Sequence, residues 1–139
     1  MKDENVVTLS KRNLEGLRTL AIKSLPIESC ALLLGKREIW LYSIVEIMPM
    51  QNADNSRTSF SINPQGLLDA YDRAESRGHQ VVGIFHSHPA EPAPSETDLK
   101  FMEINPVVWL IYSTITNEYK AYIFEDKLKV VRLQTTYDG

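Results

Sequence analysis

One cysteine, Cys30, occurs among the 139 residues. An intramolecular disulfide is therefore excluded, as is a zinc cage built on two or four thiolates. Any metal must be held mainly by imidazole and carboxylate. No segment approaches the ~18 uninterrupted apolar residues of a membrane-spanning helix, and the opening "MKDENVVTLS" lacks the apolar stretch of a signal peptide. The expectation is a cytoplasmic protein without a membrane partner. Basic clusters are also missing. Fifteen Lys and Arg are scattered among 18 Asp and Glu, for a net charge of -3, which leaves no electrostatic footprint for a phosphate backbone and argues against nucleic acid.

What is present is ordinary globular composition, 43 % hydrophobic and 24 % charged, which argues against a disordered or fibrous chain. The length fits a single domain over residues 1–139. Ser10 is placed to cap a helix carrying Leu14, Leu17, Ala21, Ile22 and Leu25 at helical spacing up to Pro26. "SCALLLG" and "EIWLYSIVEIMPM" read as two strands joined by a tight turn at Gly35–Arg37. Asn63 and Pro64 open a second helix that Gly78 is placed to end. "QVVGIF" is a buried strand, Ser95 starts a third helix stopping near Pro106, and "VVWLIYS", "EYKAYIF" and "KLKVVRLQ" form a β-meander. The fold class is α/β, a mixed β-sheet flanked by helices.

The chemistry gathers in "VVGIFHSHPAEPAPSETDL". Side chains at i and i+2 of a strand share a face, so His86 and His88 aim both imidazoles at one point while Ser87 points away. An isolated H-x-H is common by chance, but this pair ends a buried run and faces a helix start, where α/β sites commonly lie. Ser95 and Asp98 read as a capping box. Alternatively, Asp98 leaves the cap and serves as a carboxylate ligand, completing a two-histidine, one-aspartate set with an open fourth position. Glu91 and Glu96 are rival ligands, one in the Pro-rich loop and one directed off the other side of the helix start. Glu28, at the mouth of the first strand, is either a solvent-facing turn residue or the base that a zinc hydrolase needs. Cys30 shares its strand face, so a Cys-His nucleophile competes with a plain core cysteine. His79, after Gly78, reads as a helix C-terminal residue interacting with the dipole.

"ESCALLLG", "HSHP" and "PSETD", in this order among these elements, resemble the JAMM motif of the MPN+ zinc metalloproteases, E…H-[ST]-H-P…S-x-x-D, and the resemblance extends over nearly the whole chain. It implies an MPN/JAB domain with the three-layer architecture of the cytidine deaminases, whose P-C-x-x-C ligands are absent here. His86, His88 and Asp98 then correspond to the ligands of one zinc, Glu28 to the general base that holds and deprotonates its water, and Ser95 to the serine that stabilises the tetrahedral intermediate. The implied activity is hydrolysis after the C-terminal tail of a ubiquitin-like protein, with that protein or its conjugates as partner; the alternative is a non-catalytic MPN scaffold or protein-interaction domain with a structural or latent zinc site. A homodimer or an activating partner stays open. Nine residues, Pro89–Thr97, separate His88 from Asp98, one fewer than is usual in the family, and long insertions are absent, as in minimal prokaryotic forms. The polar segment Asn52–Ser59, leading into Phe60, is expected to form one wall of the substrate cleft.

Overall fold

A computed structural model describes residues 4–54 and 62–137 of the chain. Apart from Asn52, Ala53 and Asp54, the expected cleft wall lies outside the described residues. The elements are β1 (Val6–Ser10), α1 (Lys11–Ser24), β2 (Cys30–Glu38), β3 (Leu41–Met50), α2 (Pro64–Ser76), β4 (Gln80–His88), α3 (Glu96–Ile104), β5 (Val108–Ser113), β6 (Tyr119–Glu125) and β7 (Lys127–Thr136).

All three helices begin where their caps predict. Ser10 accepts the Asn13 N–H at 3.0 Å, Asn63 accepts from Gln65 and Gly66, and Ser95 accepts from Asp98. Gly78 follows α2 at φ +74°, a left-handed conformation that glycine adopts without Cβ strain.

The arrangement is mixed α/β as expected, but the sheet is a closed barrel in the order β1-β3-β2-β4-β5-β6-β7. Closure depends on β1, which pairs parallel with both β3 and β7. The sequence reading missed this strand because "VVTLS" is short, alternates only weakly and follows a charged opening. Inward residues of the strands pack with Leu17 and Ala21 of α1 in one core cluster. On the other face, Ala70 and Ala74 of α2 cover Leu32, Leu34 and Met48, while Met102 of α3 covers Cys30, Trp109, Ile111 and Tyr122. Covering on both faces accounts for the unbroken apolar runs of β2 and β5.

The expected turn at Gly35–Arg37 is corrected. β2 runs through Gly35 to Glu38, and the chain reverses at Ile39–Trp40. Gly35 instead marks a register shift opposite β3, where a Cβ would stand 1.7 Å from the Ser43 carbonyl oxygen. Its glycine is required by backbone approach rather than by a reversal.

β4 and β5 run parallel, joined through α3. The C-terminal end of β4 therefore meets the N-terminus of α3, a crevice of the kind in which α/β proteins place ligands.

Candidate metal centre

The last three residues of β4 are His86, Ser87 and His88, and strand alternation sends both imidazoles to the face covered by α2 and α3. Their Nε2 atoms lie 3.1 Å apart. Asp98, at the third position of α3, places Oδ2 at 3.1 Å from His86 Nε2 and 3.1 Å from His88 Nε2. All three residues are at least 93 % buried. The same Oδ2 accepts the Ser95 N–H at 2.9 Å, and the Asp98 N–H donates to Ser95 Oγ at 3.1 Å. The capping box and the convergence on the histidines therefore coexist, and Asp98 does not have to leave the cap to face them.

Three electron-rich atoms in mutual contact call for a positive charge between them. Tetrahedral sites with bond lengths of ~2.0–2.2 Å separate their donors by roughly 3.3–3.6 Å, a little more than the 3.1 Å found here. The donor set, two imidazole nitrogens and one carboxylate oxygen, suits a borderline cation, so the residues fit a metal ion. His88 Nδ1 approaches the Glu91 carbonyl at 3.4 Å, a contact that favours the tautomer with its proton on Nδ1 and Nε2 free to ligate. The His88 carbonyl accepts from the Thr114 N–H at 2.9 Å and from its hydroxyl at 3.2 Å. The His86 ring stands edge-on to Trp109 with centroids 6.0 Å apart. The sequence carried no signal for Thr114 or for the Glu91 carbonyl, because both act from segments distant from or irregular beside the motif.

Glu28 lies just before β2 and is only 4 % exposed, so the solvent-facing reading is excluded. A carboxylate oxygen of Glu28 and ring nitrogens of both histidines lie within 4.8 Å of one another. Two triads therefore share the histidines. Asp98 Oδ2 touches both Nε2 atoms at 3.1 Å, and the Glu28 carboxylate lies beside the same pair.

Electrostatics separate the two carboxylates. Burial would push Asp98 up, but its contacts with His86 and His88 and the Ser95 N–H hold it well below the usual carboxylate range. Glu28 is raised to about 7, chiefly by burial; the His88 charge opposes the rise and Asp98 adds to it. His86 is lowered, first by burial, while in His88 the contacts with Asp98 and Glu28 outweigh burial and raise it.

The remaining candidates fall away from this point. The Glu91 and Glu96 side chains are exposed, and His79 precedes β4 at the end opposite His88. Cys30 is fully buried, donates toward the Met50 carbonyl at 3.5 Å, and is pushed up to about 12 by burial and by Glu28. It is a core thiol and not an activated nucleophile. The shortened loop keeps a tight path, with the Tyr122 hydroxyl donating to the Pro92 carbonyl at 2.8 Å.

The family model described as prokaryotic homologs of the JAB domain matches residues 10–124. The chain belongs to the prokaryotic JAB-domain family. A desampylase of Pyrococcus furiosus is 38 % identical over 110 residues, covering 78 % of this chain and 75 % of that protein. A probable TtuB-protein conjugate cleaving protease of Thermus thermophilus is 34 % identical over 89 residues, covering 63 % of this chain and 57 % of that protein. A solved structure from Desulfitobacterium hafniense aligns with a TM-score of 0.85 at 30 % identity, over 96 % of this chain and 94 % of that one. The JAB match spans α1 through β6 and so includes every residue of the buried cluster.

Proposed function

We propose that this JAB-domain protein is a zinc-dependent isopeptidase that cleaves the bond after the C-terminal tail of a ubiquitin-like protein. The observation that carries the reading is the 3.1 Å triangle of His86 Nε2, His88 Nε2 and Asp98 Oδ2 with the buried Glu28 carboxylate beside it. The substrate class follows the relatives, named for desampylation and for cleavage of protein conjugates. Residues 1–139 act as one MPN/JAB domain of the three-layer, deaminase-like kind, with the sheet closed by β1.

His86, His88 and Asp98 hold the ion. When bound, zinc supplies Lewis acidity, lowering the pKa of a water to about 7 and polarising the scissile carbonyl. Glu28 takes the proton of the attacking water and returns it to the departing amine; a carboxyl raised to about 7 is matched to both tasks near neutral pH. Ser95 Oγ already accepts the Asp98 N–H, which leaves its own proton to donate to the oxygen on which negative charge develops. Trp109, edge-on to His86, supplies an apolar wall at this corner. A tail rich in glycine suits the site because residues without Cβ approach closely.

Zinc content and conjugate cleavage, measured together in Glu28→Gln and Asp98→Ala, test the assignment. Glu28→Gln is expected to retain one zinc per chain and lose turnover, and Asp98→Ala to lose both. A Glu28→Gln protein without zinc would exchange the two carboxylates' roles.

A further inference from the structure

The regular ladder of β2 stops at Cys30, which faces Met50 on β3 and His86 on β4. Glu28 and Ser29 lie beyond it, buried, and their backbone groups still require partners. Two side chains and one backbone N–H supply them. Asn52, in the segment after β3, donates from Nδ2 to the Glu28 carbonyl at 3.0 Å, and its Oδ1 accepts the Asp54 N–H at 3.0 Å. On the other side, Ser87 Oγ accepts the Ser29 N–H at 2.9 Å and the Ser29 hydroxyl at 3.0 Å, and the Ser87 N–H donates to the Ser29 carbonyl at 3.1 Å. The Glu28–Ser29 unit is thus pinned on the β4 side by the Ser87 side chain and one further backbone bond, and on the β3 side by the Asn52 side chain.

We infer that Asn52 is a positioning residue for Glu28, its carboxamide extending the sheet by one polar rung so that the Glu28 carboxylate is held beside His86 and His88. The inference rests on Glu28 being the proton acceptor. A base must stay within hydrogen-bond reach of the proton it removes, and a misplacement of ~1 Å costs up to ~100-fold in rate. Without Asn52 the buried Glu28 carbonyl loses this partner, and the strand entrance loses its tie to the β3 side. Ser87 performs the matching task on the β4 side, but it sits between the two histidines, so its replacement would disturb them directly. Asn52 lies outside the histidine strand and can be changed with His86, His88 and Asp98 in place.

A double-substitution cycle tests this with wild type, Asn52→Ala, Glu28→Gln and the combined variant, all zinc-loaded. Asn52→Ala is expected to keep one zinc per chain, to lower kcat roughly 10- to 100-fold, and to leave KM within about threefold. The combined variant should be no slower than Glu28→Gln alone, because a positioned base that is already absent cannot be misplaced. In the chelated protein, hydrogen exchange of residues 27–30 should quicken in Asn52→Ala while the β4 amides keep their protection. If Asn52→Ala fails to fold, Asn52→Asp, which keeps the acceptor for Asp54 and loses the donor to Glu28, enters the same cycle. Equal fold losses from Asn52→Ala with and without Glu28, or unchanged kcat, would overturn the inference. Full activity of Glu28→Gln would instead remove the reading on which it rests.

Discussion

Replacing Glu28 by Gln is expected to stabilise the metal-free protein at alkaline pH while removing its catalysis. Gln matches Glu in shape and lacks only the charge, so the comparison isolates the cost of ionising this carboxyl inside the fold. Burial, opposed by the His88 charge and assisted by Asp98, raises Glu28 from the ordinary 4.5 to about 7. Because the folded-state value lies above the unfolded one, its contribution to stability is full below pH 4.5 and is lost as pH rises through 7. At ~1.4 kcal/mol per pH unit, this separation amounts to on the order of 3 kcal/mol. Urea unfolding of both proteins in chelator should give a near-zero difference at pH 4.5 and a Glu28→Gln advantage of that order at pH 8. Added zinc should narrow the gap, since a neighbouring cation favours the carboxylate anion. A gap that does not change with pH, or a Glu28→Gln protein less stable than wild type at pH 8, would refute the reasoning.

Three further substitutions probe other links of the account. His88→Ala should lose zinc, checked by elemental analysis of the purified variant; one zinc per chain at unchanged affinity would contradict the ligand set. Ser95→Ala should lower kcat more than it raises KM and also cost ~1 kcal/mol as a lost N-cap, so kinetics and thermal unfolding must be read together. Gly35→Ala should destabilise by ~1–3 kcal/mol or more, because its Cβ would meet the Ser43 carbonyl of an adjacent strand at 1.7 Å; a soluble variant with a wild-type unfolding midpoint would contradict the close approach.

The helix starts were readable in the sequence because capping is local. Ser10, Asn63 and Ser95 each bond a backbone N–H within three residues. His86 and His88 were readable for the same kind of reason, since strand alternation fixes their common face. Barrel closure was not, because it depends on β1 pairing with β7, more than 120 residues away, and nothing in "VVTLS" records that partner. Gly35 was misplaced because glycine serves both a reversal and a close approach, and only the Ser43 carbonyl on the neighbouring strand distinguishes them. Asp98 presented a choice between cap and ligand that the fold does not make, since one oxygen meets the Ser95 N–H and both histidines. Asn52 stood only in a polar segment and Ser87 only as the residue between the two histidines, and neither placement told which backbone it would bond. Their partners, Glu28 and Ser29, are 24 and 58 residues away and become neighbours only when β2 lies between β3 and β4.

The measurement that bears most directly on the proposed activity is cleavage of a purified ubiquitin-like protein conjugate by the wild-type chain before chelation, after chelation, and after return of one equivalent of zinc. Release at the terminal glycine, loss of cleavage with the metal, recovery with zinc, and no cleavage when the terminal Gly-Gly of the conjugate is replaced by bulkier residues are expected. Cleavage that survives complete removal of zinc, or that proceeds equally on the Gly-Gly replacement, would contradict the proposed activity.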